Sequence, residues 1–393
     1  MEIDSRRKKT SEDLSRTVQP VRVLFFSHTP FIAGGEVNLI ALLKTINKQK
    51  ITAYLCYNPS SQMDSQLRDG GTFLLPFRLP TYQRSKVIPI AYAMGQLMYI
   101  LFHHDIQLVY ANTGNELKFL LPLCRMLGIP VIAHIHIQEE DRVLRWFKLR
   151  RVQRILFPSR ATMQGVQKGS PWIDAHKCHY VHNAVDMSFY QKKDTLALKA
   201  EMGLDDGWPI LGMIGRLRED KGQHLFLTLV SRLIAQGIKA HYIVVGEDND
   251  QGGAYEDYLK KIACDLGIDE AVRFMGFRSD VPEMMSLCDL LIVPSLKEPF
   301  GRVVIEAMAC ETPVVASAVD GILEIFKDGE GGLFFKTGSV DDLTAKVLYF
   351  FYHPDWWQDQ KKKAWRVCNE RFRQEIHTRR IEEHINDVLG LVE

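Results

Sequence analysis

Two glutamates in the second half of the chain, Glu298 and Glu306, have a spacing that suggests chemistry. A helical pattern begins between them, near Gly301, directly after an apolar run and a loop. The backbone N–H groups of Gly301, Arg302 and Val303 would therefore stand at a helix N-terminus, where unpaired donors attract a phosphate or a carboxylate. Glu298 lies in the loop, and Glu306 lies about one and a half turns into the helix. Both carboxylates can then face one pocket and accept hydrogen bonds from adjacent sugar hydroxyls. A surface glutamate beside a helix-capping glutamate is the alternative.

A second segment combines a glycine turn with two cations. Gly215 follows an apolar run, and Arg216 and Lys221 come shortly after it. Glycine lets the backbone approach a ligand closely, and two positive charges suit a diphosphate on which charge grows as a bond breaks. The two cations could replace a metal ion, so the segment predicts a diphosphate site that needs no metal. An exposed basic loop is the alternative.

The first half of the chain contributes a glycine pair and two histidines. Gly34 and Gly35 precede a helical pattern, which predicts a flexible turn with exposed N–H groups near a phosphate or the reacting centre. His134 and His136 end an apolar run and, at strand spacing, face the same side. A plain turn and two satisfied core histidines are the alternatives. A metal site at the histidines would lack a third ligand nearby.

The elements that must position these residues form two α/β units in tandem. Short, continuously apolar runs alternate with helical patterns, which predicts parallel sheets covered on both faces. The pattern breaks over residues 191–207 and then restarts. We predict an N-terminal domain over 20–195, a C-terminal domain over 196–370, a last helix over 371–393 that packs back on the N-terminal domain, and a disordered leader over 1–19. Because ligands bind at the carboxyl ends of parallel strands, two facing sheets predict one deep cleft.

These segments resemble the retaining glycosyltransferase family 4, whose members have the GT-B fold of two facing Rossmann-like domains. The resemblance rests on Glu298 and Glu306, eight positions apart around Phe300 and Gly301. It implies that Glu306 binds the ribose hydroxyls of a nucleotide and that Glu298 binds hydroxyls of the donor sugar. The N-terminal domain would then bind the acceptor. The predicted donor-binding residues are Gly34, Gly35, Gly215, Arg216, Lys221, Gly276, Phe277, Arg278, Glu298, Phe300, Gly301, Arg302, Val303 and Glu306.

The same resemblance assigns roles to the remaining segments. It gives Arg216 and Lys221 to the pyrophosphate and makes residues 272–281 the segment that cradles the nucleobase. The histidine that contacts the donor sugar or orients the acceptor in the family aligns with His136. The predicted catalytic residues are His136, Glu298, Arg216 and Lys221. Two further polar residues near the expected donor sugar stay open, namely His134 and Asp320.

The predicted reaction is transfer of a hexose from a nucleotide diphosphate sugar to a hydroxyl acceptor. No carboxylate of the motifs is clearly placed as a covalent nucleophile, so retention would proceed by front-face attack. The basic stretch over residues 142–154 is interleaved with apolar residues. It indicates either a solvated helix face or a surface that holds the protein on an anionic membrane near a lipid-linked glycan. A sugar-nucleotide epimerase and a catalytically silent nucleotide-binding module are the alternative functions.

Composition excludes other classes of protein. The chain has 393 residues and a formal net charge of +1, which argues against nucleic-acid binding. Seven cysteines without a C-x-x-C pair predict reduced thiols in a cytoplasmic protein, not a disulfide framework or a metal site. The longest apolar run, residues 87–102, is shorter than the roughly 20 residues of a membrane span. We therefore expect a cytoplasmic protein, located at the inner face of the membrane if the basic stretch binds lipid. We expect no metal and no cofactor, with the nucleotide sugar as co-substrate.

Overall fold

The computed structural model describes residues 19–68, 70–80, 87–204, 207–248 and 252–391. The predicted leader over 1–19 lies outside these residues except for Gln19. Within the described residues the strands form a seven-stranded and a six-stranded parallel sheet. The strands are β1 (Val21–Ser27), β2 (Ile51–Tyr57), β3 (Phe73–Pro76), β4 (Leu108–Ala111), β5 (Val131–His134), β6 (Arg154–Phe157), β7 (Cys178–Tyr180), β8 (Ile210–Ile214), β9 (His241–Val245), β10 (Val272–Phe274), β11 (Leu290–Val293), β12 (Val314–Ser317) and β13 (Gly332–Phe335).

Helices cover both faces of each sheet, as the continuously apolar strands require. Almost every residue of the central strands is buried; all five residues of β8 are. Each sheet separates two apolar cores, one on each face. The helices are α1 (Gly34–Thr45), α2 (Val87–His103), α3 (Leu117–Leu127), α4 (Asp141–Trp146), α5 (Arg160–Gly169), α6 (Leu196–Glu201), α7 (Gln223–Ala235), α8 (Ala254–Asp265), α9 (Val281–Leu287), α10 (Arg302–Ala309), α11 (Val340–Tyr352), α12 (Pro354–Arg371) and α13 (Gln374–Leu389).

Both sheets reverse their strand order at an equivalent point. The first runs β3-β2-β1-β4-β5-β6-β7 and the second runs β10-β9-β8-β11-β12-β13. This is the order of doubly wound nucleotide-binding sheets, in which ligands bind outside the carboxyl ends of the strands at the switch point. The switch points lie between β1 and β4 and between β8 and β11. The prediction of two Rossmann-like α/β domains is confirmed.

The chain crosses back to the first sheet at its end. Helix α12 packs on α10 of the second domain, whereas α13 packs on α1 of the first. Ile381 and Ile385 of α13 are fully buried in the same core as Leu39 and Leu43 of α1. Their four-residue spacing puts both side chains on one face of the helix. Helix α13 therefore joins the two domains a second time.

The basic stretch over residues 142–154 is not one amphipathic helix. Helix α4 ends at Trp146, and Lys148 adopts a left-handed conformation before a short 3₁₀ turn. Leu144, Phe147 and Leu149 are buried in the core of the first domain. The predicted membrane surface therefore cannot include these three side chains, because they are buried and stabilise the fold. No helix among the described residues combines the length and apolar character needed to cross a bilayer.

Candidate active site

A cleft of about 650 Å³ separates the two sheets at their carboxyl ends. It collects segments that lie far apart in sequence: the start of α1, the end of β5, the turn after β8 and the start of α10. Asp320 also lines it, whereas His134 is not among the described residues that do so. The predicted site residues that line the cleft are Gly34, Gly35, His136, Gly215, Arg216, Lys221, Glu298, Phe300, Gly301, Arg302, Val303 and Glu306.

The segment predicted to cradle the nucleobase lies at the edge of the second sheet, behind the turn at Gly215. None of Gly276, Phe277 and Arg278 is among the described residues that line the cleft. They follow β10, which is the edge strand of the second sheet. The Gly276 carbonyl accepts the N–H of Gly246 at 2.9 Å, and Phe277 is 69% exposed. The guanidinium of Arg278 donates to Asp280 at 2.8 Å, so this side chain already has a local partner.

Glu298 forms an ion pair with Lys221 inside the cleft. The Glu298 side chain is 11% exposed, and its Oε2 lies 2.5 Å from the Lys221 Nζ. The hydroxyl of Ser295 donates to the same oxygen at 3.4 Å. The backbone N–H of Glu298 donates to Oδ2 of Asp320 at 3.1 Å, so Asp320 anchors the loop. The residues predicted to hold the pyrophosphate and the sugar therefore meet each other directly.

Glu306 is paired in a similar way by the helix that carries it. Arg302 lies one turn earlier, a spacing at which opposite charges meet, and its guanidinium donates to Glu306 Oε1 at 2.8 and 3.1 Å. The same guanidinium donates to Oδ1 of Asn38 on α1 and to the Ala184 carbonyl. Tyr190 lies beside Glu306, whose carboxylate accepts a hydrogen bond from the phenol hydroxyl. Burial and the charge of this carboxylate raise the pKa of Tyr190. Arg302 was expected to contribute only its backbone, yet its side chain links Glu306 to the first domain.

The helix that carries Glu306 also begins at the cleft. Gly301 precedes α10 with a φ of 100°, a left-handed conformation that favours glycine. Phe300 is buried, and its ring stacks on that of His182 with centroids 5.5 Å apart. Arg302 and Val303 are the first residues of α10, whose opening N–H groups have no acceptor in the preceding turn. The predicted anion-attracting helix start is therefore at the cleft surface.

The turn after β8 lies beside the α10 segment, because β8 and β11 are neighbours in the second sheet. Gly215 has a φ of 148°, and its N–H donates to the Val245 carbonyl at 2.9 Å. Arg216 is exposed at the cleft, and Lys221 ends a short 3₁₀ turn. Both cations line the cleft, as a diphosphate site would need. The described part of the chain brings together no group of three or more His, Cys, Asp or Glu side chains suited to a metal ion.

His136 is held as a neutral ring against the start of α1. Burial, and after it the charge of Arg302, lowers the pKa of His136 to about 4. Its Nε2 lies 3.1 Å from Oδ1 of Asn112, whose amide in turn donates to Glu36 at 3.3 Å. Because an amide oxygen only accepts, Nε2 carries the proton. A Cβ on Gly35 would lie 2.7 Å from Cδ2 of the ring, so glycine is needed there.

His134 lies behind His136 and is not among the described residues that line the cleft. Its Nδ1 lies 2.6 Å from the hydroxyl of Tyr110, and its ring centroid is 4.1 Å from that of His136. The two rings therefore do share one side, as strand spacing predicts. Burial lowers the pKa of His134 well below its usual range. Its contacts are those of a core histidine that supports the ring of His136.

Two buried glutamates of the first domain escaped the sequence analysis. Glu36 lines the cleft and accepts the Ser27 hydroxyl at 3.1 Å and the Thr29 hydroxyl at 2.5 Å. It is the third residue of α1 and also accepts the N–H that precedes the helix, a capping-box position. Burial raises the pKa of Glu116 to about 7, although it accepts the N–H groups of His28 and Thr113. The sequence signal that could have identified Glu36 is its place at the third position of α1, where a glutamate can accept the N–H that precedes the helix.

Contacts between the domains hold the Glu298 loop in place. The hydroxyls of Ser159 and Thr162 donate to the Pro299 carbonyl at 2.5 and 2.9 Å. Glu324 of the second domain accepts two N–H groups at the start of α5, at 2.7 and 3.0 Å, and lies 2.8 Å from Nε2 of His182. The Glu298 loop is thus positioned partly by the other domain.

Two family models together match most of the chain. Residues 194–365 match glycosyl transferases group 1, and residues 32–189 match glycosyltransferase family 4. The D-inositol 3-phosphate glycosyltransferase of Stackebrandtia nassauensis is 34% identical over 169 residues, or 42% of this chain and 38% of that protein. The alpha-D-kanosaminyltransferase of Streptomyces kanamyceticus is 27% identical over 253 residues, or 58% of this chain and 63% of that protein. The chain thus spans less than two thirds of the length of these relatives.

Solved structures share the whole fold at lower sequence identity. Anabaena Alr3699/HepE in complex with UDP has a TM-score of 0.81 and 22% identity, over 93% of this chain and all of that chain. The same protein in complex with UDP-glucose has a TM-score of 0.81 and 22% identity, over 93% of this chain and 99% of that chain. This likeness shows a common GT-B arrangement of two facing domains.

Proposed function

We propose that this chain, which belongs to glycosyltransferase family 4, transfers a hexose from a nucleotide diphosphate sugar to a hydroxyl of a glycan or lipid-linked acceptor. One observation carries the proposal: Lys221, Glu298, Arg302 and Glu306 stand as paired cations and carboxylates around the start of α10. Cations suit a diphosphate, and carboxylates suit the hydroxyls of a ribose and a hexose. The complexes of Anabaena Alr3699/HepE with UDP and UDP-glucose are in keeping with such a donor.

The proposed reaction retains the configuration at the anomeric carbon. The bond between that carbon and the diphosphate oxygen breaks while the acceptor oxygen attacks from the same face. The acceptor proton passes to the departing phosphate oxygen. Arg216 and Lys221 stabilise the charge that grows on the diphosphate, and no metal is needed for that purpose. His136, neutral at pH 7, acts as a hydrogen-bonding group that orients the sugar or the acceptor and not as a proton carrier.

The acceptor is proposed to be lipid-linked, as in surface polysaccharide or glycolipid biosynthesis. The first domain carries a surplus of basic residues, with seven Lys or Arg against three Asp or Glu over residues 117–151. The whole chain has a net charge of only +1, so this surplus is local. Such a patch favours an anionic membrane surface near the cytoplasmic enzyme.

Thermal unfolding in the presence of ligands tests the donor site. The purified chain is heated with a panel of nucleoside diphosphates and nucleotide sugars, beside Glu306→Ala and a control, Glu375→Ala, whose carboxylate is exposed on α13. A ligand at 100 times its dissociation constant stabilises by roughly 2.7 kcal/mol. We expect one nucleotide to stabilise the wild type and the control but not Glu306→Ala. If no nucleotide shifts the wild type, the donor-site proposal is wrong.

Product analysis tests the reaction. With the donor that stabilises the wild type, we expect nucleotide release to depend on an acceptor and NMR of the product to show the donor's anomeric configuration. An inverted linkage would contradict the front-face route. Release without an acceptor, in parallel with exchange at the sugar, would favour an epimerase. Binding without any turnover would favour a nucleotide-binding module.

A further inference from the structure

The two sides of the cleft differ in charge. The cations that line it all belong to the second domain, namely Arg216, Arg218, Lys221, Lys297 and Arg302. No Lys or Arg occurs among the described first-domain residues that line the cleft, whereas two carboxylates do. The acceptor wall, as we call this first-domain side, includes Glu36, His136, Glu139 and Asn183. The charge of the wall therefore bears on which acceptors can approach it.

The unpaired polar atoms of the acceptor wall are hydrogen-bond acceptors. Nδ1 of His136 carries a lone pair, because the ring proton is on Nε2, and it has no partner among the described residues. Oδ1 of Asn183 is also buried without a hydrogen bond in the part of the chain that the structure describes. Buried polar atoms are normally paired, so both atoms favour a ligand that donates hydrogen bonds. Hydroxyl groups donate, whereas an ionised phosphate or carboxylate does not.

Two helix starts on this side of the cleft already have anionic partners from the protein. At the start of α5, Glu324 accepts the N–H groups of Arg160 and Ala161 at 3.0 and 2.7 Å. In front of α3, Glu116 accepts the N–H of Thr113 at 3.0 Å. A helix start attracts an anion through N–H groups that lack a partner. A phosphate on the acceptor would have to displace these carboxylates. The start of α1 differs, and the proposed function gives its glycines to the donor.

The carboxylates of the acceptor wall oppose a negative charge on the ligand. Glu36 is 3% exposed, and Glu139 is half-buried in the segment between β5 and α4. Glu139 forms no ion pair with any residue that the structure describes. Its neighbour Glu140 pairs with Arg142 at 3.7 Å and is not among the described residues that line the cleft. Partly buried charges are screened less by salt than exposed charges, so Glu36 and Glu139 act on a nearby ligand.

We propose that the acceptor enters the cleft with a hydroxyl-rich end that carries no negative charge, and that the acceptor wall disfavours phosphate and carboxylate groups there. This inference names the acceptor class and rests on the proposed transfer to a hydroxyl. Sugar hydroxyls donate to lone pairs such as those of His136 and Asn183 and to the wall carboxylates. Ile137 lines the cleft and is 53% exposed, so it offers apolar surface to the ring carbons. A lipid-linked glycan fits when a neutral sugar separates its phosphate from the reacting hydroxyl.

Matched pairs of acceptors test this preference. The whole chain is given methyl glycosides of glucose, galactose, mannose and N-acetylglucosamine, each beside its 3-phosphate and its 6-phosphate, so that one phosphate leaves the reacting hydroxyl free. Turnover is measured as nucleotide release from the donor that stabilises the chain. Binding is measured by saturation-transfer NMR with and without the nucleotide. We expect the neutral glycoside to be favoured about tenfold or more over its phosphates, because like charges repel in the cleft.

Removal of one wall charge tests its cause. Glu139→Gln keeps the size of the side chain and should raise the use of the phosphorylated glycosides about fivefold or more, with less change for the neutral ones. The matched control is Glu140→Gln, the same change at the adjacent position outside the described cleft lining. It should keep the preference of the wild type. Equal relief in both variants would contradict the role of the acceptor wall, because surface charge in general would then explain the preference.

The two readouts separate the acceptor class from the transferase function. Wild-type protein that uses or binds the phosphorylated glycosides as well as the neutral ones would overturn the acceptor class and leave the transferase standing. Failure of every neutral glycoside to bind would also overturn the acceptor class. Binding of neutral glycosides without any nucleotide release would leave the preference of the wall intact and remove the proposed transferase function.

Discussion

Substitution of Gly35 by alanine tests whether the start of α1 positions the histidine of the cleft. The added Cβ would lie 2.7 Å from Cδ2 and 3.0 Å from Nε2 of His136. Carbon atoms in contact rest about 3.5–4.0 Å apart, so the ring must retreat by roughly 1 Å. The hydrogen bond from Nε2 to Asn112, now 3.1 Å, then exceeds ordinary length. A misplacement of about 1 Å at a reacting centre lowers the rate about 100-fold.

Global stability should change much less than activity. Overpacking costs about 1–3 kcal/mol, whereas replacing glycine within a helix gains roughly 0.5–1 kcal/mol. Gly35 is the second residue of α1, and its backbone conformation is one that alanine adopts freely. We therefore expect Gly35→Ala to fold, to bind the nucleotide and to transfer sugar about 100-fold more slowly.

The neighbouring glycine provides the control. A Cβ on Gly34 would lie 3.6 Å from Cδ of Arg302, an ordinary van der Waals contact. Acceptor-dependent nucleotide release is measured for Gly34→Ala, Gly35→Ala and the wild type. Gly34→Ala should stay within a few-fold of the wild type. Equal losses in both variants, or wild-type rates in Gly35→Ala, would refute the role assigned to the His136 contact.

Three further changes test the cations, the acid stability and the domain contact. Lys221→Met removes a charge from the proposed diphosphate site and should lower kcat about 100-fold or more. A rate near that of the wild type would exclude Lys221 from the reaction. Burial lowers the pKa of His377 to about 4, below the unfolded value near 6.5. Between these two pKa values the unfolded chain binds more protons than the folded chain, so Tm should fall as pH drops from 6.5 to 4. His377→Asn should make this fall of Tm with pH less steep. An unchanged dependence of Tm on pH would contradict the low pKa assigned to His377. Burial alone would raise the pKa of Glu324, but hydrogen bonds from His182 and the start of α5 lower it. Glu324→Gln weakens these hydrogen bonds and should lower Tm by several degrees at pH 7. An unchanged Tm would show that this contact between the domains adds nothing to stability.

Features encoded by short segments were predictable from the sequence. Continuously apolar runs between helical patterns indicated parallel sheets, because such strands are buried on both faces. Glu298 and Glu306 could be placed on one pocket because a strand end, a loop and a helix start fix their relative positions within a few residues. The same reasoning placed Gly215 and Lys221 at the cleft, since both follow the carboxyl end of a central strand.

Contacts between distant segments were not predictable. Arg302 meets Asn38 across 264 positions, and Glu324 meets the N–H of Ala161 across 163. No local pattern encodes these pairs, because they exist only once the two domains face each other. Exposure was misleading in the same way: the apolar residues of α2 and of the 142–154 stretch look alike in sequence. Phe147 packs against Gly114 in the core of the first domain, whereas Phe102 lies on the outer side of α2.

The pairing of charges in the cleft bears on which ligands it would accept. The side chains of Lys221 and Glu298 are only 21% and 11% exposed. If either charged group loses its partner and gains no other, it is therefore left poorly solvated. A phosphate alone would draw Lys221 away and leave the carboxylate unpaired, and a free sugar would leave the cation unpaired. A ligand that carries a diphosphate and hydroxyls together replaces both partners at once. Under the proposed function, a nucleotide sugar should therefore bind more tightly than its nucleoside diphosphate, and Glu298→Gln should remove that difference because the amide leaves no charge to compensate.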